Sequence, residues 1–348
     1  DTGAFLREWT SLYESHSGER GIFNRQAAKD MVPERRDNHY DFGVNPCSEI
    51  VLRPREFCNL SEVVCRPDDT LATIRKKVTQ ATWIGTIQST LTDFRYLSAP
   101  WKRNTEEERL LGVSLTGIMD CPAILKATDK ELQGLRDHAV KENVSAAKLL
   151  GIPESAAVTC VKPSGTVSQL VDSSSGIHPR HNSQFIRRVR NDKKDPISNV
   201  MIEAGVSYHS DPRNDGAWVF EFGMKSPKNA ITRHDITALQ HLDIWKRFAL
   251  NWCEHKPSIT VSVRENEWVE VGAWVYKNFN ILSGVSFLPH ADDDHTYESA
   301  PYEDCSPETY RKLAKTLPAE IDWDAVKEEE DQTTSSQEFA CMAGACEI

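Results

Sequence analysis

The stretch Asn45-Pro46-Cys47-Ser48-Glu49-Ile50 decides how the rest of the chain is read. It sets an amide, a thiol and a carboxylate at alternate positions, just after Asp41-Phe42-Gly43. In an extended loop, a period of two puts all three side chains on one side. A thiol there can abstract or deliver hydrogen, the carboxylate can act as a base, and the amide can hold a substrate oxygen. Spacing alone also fits, and more simply, a small buried cysteine in an ordinary strand. Cys58 follows in Phe57-Cys58-Asn59-Leu60-Ser61, at a spacing that matches no zinc-ligand pattern.

These two belong to a set of nine cysteines in 348 residues, too sparse for a disulfide scaffold. The odd count leaves at least one thiol unpaired within the chain, and a reducing, cytoplasmic setting fits best. Cys65, Cys121, Cys160, Cys253 and Cys305 read as structural. Cys341 and Cys346 stand apart, in a terminal Cys341-Met-Ala-Gly-Ala-Cys346 segment. From Asp322 to Ile348 eight acids meet one base, which places −7 of the formal −11 charge in this tail. Like charges, hydroxyls and few apolar residues make 322–348 a mobile acidic tail, and 1–321 reads as one continuous body. Thiols in such a segment are accessible, so disulfide exchange is favoured over a zinc clip that would need two more ligands.

With 39% hydrophobic and 27% charged residues, the composition excludes collagen-like, coiled-coil and wholly disordered classes. No apolar run approaches the ~18 residues of a membrane span, and no signal peptide opens the chain. The first residue is Asp1 rather than Met, which suggests a processed, split or truncated product.

Along the body, Leu71, Ile74, Val78, Ala81, Ile84 and Leu91 recur at helical spacing after Asp68-Asp69-Thr70. Thr128-Asp-Lys-Glu131 is a capping-box pattern for a helix that Gly151 and Pro153 close. A third helix spans about 235–252, with Leu242, Trp245 and Phe248 on one face, and Ser306-Pro307 opens a fourth. Between them lie β-prone runs at 112–118, 157–161, 218–222 and 259–263. This alternation points to an α/β class with a mainly parallel sheet or barrel, and leaves the two open.

Lys162-Pro163-Ser164-Gly165-Thr166-Val167-Ser168 follows a hydrophobic strand, and its small residues can open a helix whose free N–H groups bind an anion. It lacks Walker A spacing, and a plain N-cap is the simpler reading. The basic run Arg187, Arg188, Arg190, Lys193, Lys194 reads as a solvated face before it reads as a phosphate or nucleic-acid site.

Ser17-Gly-Glu-Arg-Gly-Ile-Phe-Asn-Arg25, Asn45-Pro-Cys-Ser-Glu-Ile50, Phe57-Cys-Asn-Leu-Ser-Glu62, Leu111-Gly-Val-Ser-Leu-Thr-Gly117, Pro163-Ser-Gly-Thr-Val-Ser168 and the terminal cysteine pair occur together. The combination resembles the large chains of ribonucleotide reductases, specifically the monomeric adenosylcobalamin-dependent (class II) ribonucleoside-triphosphate reductases. The resemblance implies that Cys47 is the thiyl radical that takes hydrogen from C3′ of the ribose. Glu49 would be the base at the 3′-hydroxyl and Asn45 would hydrogen-bond the ribose hydroxyls. Cys58 would be one of the two reducing thiols. Cys341 and Cys346 would re-reduce that pair and be reduced in turn by thioredoxin or a similar dithiol. Ser164, Gly165, Thr166 and Ser168 would hold substrate phosphate. The implied fold is the C-terminal part of a ten-stranded α/β barrel, with Cys47 on an internal finger loop.

The resemblance also bears on the cofactor. The iron-dependent class relays its radical through two consecutive tyrosines, and no two of the eight tyrosines here are neighbours. The glycyl-radical motif is absent as well, which leaves adenosylcobalamin. The nearest approach to the base-off signature, Asp293-Asp-His295, has Glu298 where glycine belongs, so cobalamin would bind base-on. Reductases of this kind are roughly twice as long, so the chain is expected to be one part of a split or truncated reductase. Its substrate would be a ribonucleoside triphosphate and its partner an N-terminal half on a separate chain, with no membrane or nucleic acid involved. The competing readings are a non-catalytic nucleotide-binding or regulatory half-barrel, an iron-dependent class I fragment, and a zinc-dependent nucleic-acid binder.

Overall fold

The computed structural model describes residues 1–16, 18, 20–290 and 299–327, and the backbone of 341–342 and 345–346. These residues fall into two compact units. One comprises Asp1–Pro179 and Ile236–His290, the other Arg180–Asp235 with the described residues beyond 290.

The first unit is built on parallel strands. Asn59–Val64 pairs in parallel with Leu111–Thr116, from Asn59↔Leu111 to Val64↔Thr116, and Leu111–Thr116 pairs in parallel with Thr159–Cys160. A parallel bridge, Val161↔Pro257, leads to a second sheet. There Thr260–Val263 and Val285–Pro289 run parallel, and Gly21–Ile22 lies antiparallel at the far edge. All six residues of Leu111–Thr116 are buried, as expected for a parallel strand covered on both faces.

Helices supply that cover. Thr70 and Thr128 cap Leu71–Gln88 and Asp129–Leu150 through capping boxes, and Gly151 ends the second in the left-handed region at φ +67°. Ala238–Asn251 starts at the Thr237 cap and buries Leu242, Trp245 and Phe248. These side chains share one core with Ile74, Val78, Ala81, Leu111, Val113, Leu115, Val261 and Phe287. The apolar stripe of Leu71–Gln88 is shorter than the sequence suggests. Ile84 is 61% exposed, and Leu91 lies beyond the helix end at 73%.

The expected C-terminal part of a ten-stranded barrel appears, among the described residues, without a closed barrel. Five parallel strands in two sheets form an open wall, and Asn59–Val64 has a strand neighbour on one side only. The run at 218–222 belongs elsewhere, to the second unit. That unit holds a four-stranded antiparallel sheet in the order Tyr302–Asp304, Gln184–Asp192, Ala217–Lys225, Tyr208–Ser210. Helix Pro307–Thr316, capped by Ser306, packs on Ala217–Lys225 where Gly223 leaves room for Leu313 and the Tyr310 carbonyl.

The basic run is not simply a solvated face: Lys194 is exposed, but the charge of the other four is used inside this sheet. Arg188 pairs with Glu221 and Glu303, Arg190 pairs with Asp211 at 2.8 Å, and Arg187 and Lys193 lie over the rings of Tyr302 and Trp218. No helix among the described residues is long and apolar enough to cross a membrane.

Candidate active site

Gly43–Val44 and Val51–Leu52 form an antiparallel hairpin, Gly43↔Leu52 and Val44↔Val51, so residues 45–50 are its turn. The turn is tight rather than extended. Asn45 N–H donates to the Ile50 carbonyl at 3.3 Å and Ser48 N–H to the Asn45 carbonyl at 2.8 Å. Ser48 sits in the left-handed region at φ +58°. A period of two therefore fails here, and curvature brings the polar groups together. Asn45 Nδ2 donates to Glu49 Oε2 at 2.8 Å, and Asn45 Oδ1 accepts from Ile50 N–H at 3.0 Å. Glu49 is 2% exposed, whereas Cys47 at the tip is half-buried.

Two residues absent from the sequence reading hold this turn against the wall. His255 Nδ1 accepts from Val51 N–H at 3.3 Å, and its Nε2 donates to the Leu111 carbonyl at 3.0 Å. These bonds need the neutral ring, and burial, with Arg36 adding to it, pushes its pKa down to about 3. Lys256 N–H donates to the Glu49 carbonyl at 3.1 Å, and Nζ donates to Ser48 Oγ at 3.1 Å. Burial lowers the Lys256 ammonium to about 7 against the opposing pull of Glu49.

Cys58 lies at the start of the edge strand, one residue before Asn59, whose N–H donates to the Leu110 carbonyl at 2.9 Å. Burial, then the charges of Glu49 and Glu56, push its thiol well above the usual range. At neutral pH it is a protonated thiol, suited to giving up hydrogen rather than acting as a thiolate nucleophile. Cys160, fully buried on the neighbouring wall, is raised by burial and by the same Glu49, with Cys58 next. Gly112 makes this convergence possible. A Cβ there would lie 2.4 Å from Leu60 Cδ2, 3.1 Å from Ile50 Cδ1 and 3.3 Å from Cys160 Sγ. No spacing pattern flags such a glycine, because the atoms it admits come from three separate segments.

Beneath the hairpin, Arg36 is enclosed by two carboxylates. It donates to Glu108 Oε2 from Nη2 at 2.7 Å and reaches Glu56 Oε2 at 3.4 Å, while Nη1 donates to the Val51 carbonyl at 2.8 Å. Burial, then the adjacent Glu108, push the Glu56 carboxyl far above the ordinary carboxylate range.

The Ser164 loop leads into the six-residue helix Gly165–Leu170, with Ser164 at φ +55°. The Ser164 hydroxyl donates to Glu62 Oε1. Ser168 is buried against the Gly165 carbonyl at 3.3 Å and Ser175 Oγ at 2.7 Å. Gly165 is half-buried, and Thr166 is exposed. Most of the acidic tail, and the side chains of Cys341 and Cys346, lie outside the described residues. The backbone places Cys341 opposite Cys346 in a short antiparallel pair. Among the described residues no His, Cys, Asp or Glu cluster could hold a metal ion.

No protein-family model matches the chain. Curated relatives do. A probable adenosylcobalamin-dependent ribonucleoside-triphosphate reductase of Dictyostelium discoideum is 28% identical over 321 residues, covering 87% of this chain and 41% of the relative. The adenosylcobalamin-dependent ribonucleoside-triphosphate reductase of Euglena gracilis is 25% identical, covering 95% and 46%. That of Lactobacillus leichmannii is 23% identical, covering 95% and 50%. Among solved structures, a B12-dependent (class II) ribonucleotide reductase superposes with a TM-score of 0.70 at 21% identity, over 91% of this chain and 48% of the other. The class Id ribonucleotide reductase α subunit of Actinobacillus ureae follows at 0.56 and 16% identity. The chain spans about half the length of the curated relatives it matches. Over almost its whole length it is thus similar to about half of an adenosylcobalamin-dependent ribonucleoside-triphosphate reductase, and it has the fold of the B12-dependent ribonucleotide reductase.

Proposed function

We propose that this chain carries the radical half of a class II ribonucleotide reductase and takes part in reducing ribonucleoside triphosphates to 2′-deoxyribonucleotides. The observation that carries the reading is the hairpin turn, which joins Asn45 to Glu49 at 2.8 Å and presents Cys47 at its tip. Cys47, as a thiyl radical, takes hydrogen from C3′ of the ribose. Glu49 accepts the proton of the 3′-hydroxyl, and Asn45 orients both the carboxylate and the ribose hydroxyls. Cys58 supplies hydrogen at C2′ as one of two thiols. The second is expected from the part of the reductase that the match leaves uncovered. Cys341 and Cys346, opposite each other in backbone register, suit the exchange that restores the pair, with a thioredoxin-like dithiol as the outside reductant.

Adenosylcobalamin supplies the radical equivalent when bound. Among the described residues, the half-buried Cys47 thiol is the group that would meet it. Substrate phosphate is assigned to the start of Gly165–Leu170, through Gly165 and Thr166 with Ser164 and Ser168 behind them. Phosphate contact by the Ser164 hydroxyl requires it to leave Glu62, so that serine acts after a rearrangement.

The test is nucleotide reduction with adenosylcobalamin and a dithiol, by the chain alone and supplemented with the uncovered part of the reductase. Activity is expected only in the supplemented mixture and is abolished by Cys47→Ala. Turnover that survives this substitution overturns the assignment.

A further inference from the structure

Val51, in the second arm of the hairpin, has both of its backbone groups bound by side chains. Its N–H donates to His255 Nδ1 at 3.3 Å, and its carbonyl accepts from Arg36 Nη1 at 2.8 Å. Among the described residues the hairpin joins neither parallel sheet, so these bonds stand where a strand neighbour would otherwise be needed. Arg36 meets the other arm as well. Its guanidinium lies 4.6 Å over the ring of Phe42, the residue before Gly43–Val44. The rest of the fork is anchored on carboxylates. Nε and Nη2 donate to Glu108 Oε2 at 3.1 and 2.7 Å, and Nη2 reaches Glu56 Oε2 at 3.4 Å. Glu108 ends the helix Ala99–Glu108, and its carbonyl accepts Ala156 N–H at 2.8 Å, just ahead of the buried strand Leu111–Thr116. The Arg36 and Glu56 side chains are fully enclosed, and that of Glu108 is 7% exposed. A guanidinium suits this seat because it sets five donors in one rigid plane whose face can lie on a ring, whereas an ammonium is a point charge.

We propose that Arg36 is a positioning residue of this site: a buried clamp that joins both arms of the hairpin to Glu108 and so sets where the tip presents Cys47. The lever is short. Ile50, next to Val51, donates its N–H to Asn45 Oδ1 and accepts the Asn45 N–H, so a shift at Val51 passes directly into the turn. Transfer of hydrogen between two centres is steep in their placement, and an error of about 1 Å can cost ~10²-fold in rate. The bonds of Arg36 go to the arm and the carboxylates, so it acts through the hairpin and not on a substrate. Only the catalytic meaning of the clamp rests on the reductase reading. The clamp itself is a property of the folded chain.

The experiment is alkylation of the full chain by iodoacetamide, without nucleotide or cofactor, with each thiol followed by mass spectrometry of its own peptide. Two variants are compared with the parent: Arg36→Lys, and Arg36→Met combined with Glu108→Gln. Lysine keeps the charge beside Glu108 and loses the planar fork. The double variant removes the charge together with its closer partner, so neither is stranded in the interior. Neither variant can hold Glu108 and the Val51 carbonyl at once in the parent's geometry. Cys47 should react about threefold faster or more in both, through local loosening of the hairpin. The buried Cys65, Cys121 and Cys160 should stay protected, and Cys305, in the other unit, should keep its rate. An unchanged Cys47 rate in a variant whose buried thiols stay protected overturns the proposal. Exposure of those thiols in both variants also overturns it, since that marks a merely structural role. In the supplemented reductase, Arg36→Lys should lower kcat by roughly ten- to a hundredfold with KM within about threefold of the parent's. A raised KM with kcat unchanged would break the link to hydrogen transfer. A Cys47→Ala enzyme that still turns over would overturn the reductase reading and leave the alkylation result, and the clamp, standing.

Discussion

Glu56→Gln tests the electrostatics beneath the hairpin most directly. Glu56 Oε2 accepts the Arg53 N–H at 2.8 Å and lies 3.4 Å from Arg36, while its Oε1 has no donor among the described residues. Glu108 takes the closer contact with Arg36, at 2.7 Å. One guanidinium between two buried carboxyls favours one shared proton, and burial with the Glu108 charge places that proton on Glu56. The folded chain therefore holds a proton that the unfolded chain releases above pH ~4.5. Stability from this group is complete below that pH and is lost as pH rises toward the folded pKa, at up to about 1.4 kcal/mol per unit. Glutamine mimics the protonated acid, with its amide N–H facing Glu108 and its oxygen facing Arg53. The variant should match the parent at pH 5 and exceed it by roughly 2–3 kcal/mol at pH 7. Urea unfolding followed by tryptophan fluorescence at pH 5, 6, 7 and 8, with unchanged m-values, measures the difference. A pH-independent difference, or a variant weaker than the parent at pH 7, would refute the shared proton.

The other predictions use the same kind of reasoning. His241 and His255 are both pushed down to about 3 by burial, so the unfolded chain takes up protons below pH ~6.5 that the folded chain refuses. Stability should fall with acidification at up to about 1.4 kcal/mol per unit for each ring, and His241→Gln should flatten the slope by one ring's share. Gly112→Ala forces a Cβ to within 2.4 Å of Leu60 and should cost about 1–3 kcal/mol. The same substitution should change the alkylation rate of Cys47, because Ile50 at the hairpin end must give way, and an unaltered rate would deny that connection. Arg188→Met strands Glu221 and Glu303 in the antiparallel sheet and should destabilise that unit by about 3 kcal/mol at pH 7. Limited proteolysis of residues 180–235 would register the loss, and resistance equal to the parent's would mean the pairs contribute little.

Local chemistry made much of the scaffold legible. Thr70, Thr128 and Ser306 cap the helices that their patterns announce, and Gly151 stops one where its positive φ is needed, because caps and stops are settled within a few residues. The α/β class followed from the alternation of apolar periods. The stripe through Ile84 and Leu91 was misread, since periodicity shows which residues share a face and not whether another element covers it. The basic run was misread for the same reason: its counter-charges at Asp211, Glu221 and Glu303 are distant in sequence.

By itself, then, the sequence determined the kinds of elements, their caps and the presence of an amide, a thiol and a carboxylate within five residues of one turn. Only the tertiary structure decided that this turn is curved rather than extended, and that Asn45 therefore meets Glu49. It also decided which distant groups hold the turn: Lys256 and His255 by hydrogen bonds, and the glycines at 112 and 284 by the room they leave beside it. The physical reason is range. Capping and periodicity act along a few residues of chain, whereas burial and charge act through space between segments that lie some two hundred residues apart in sequence.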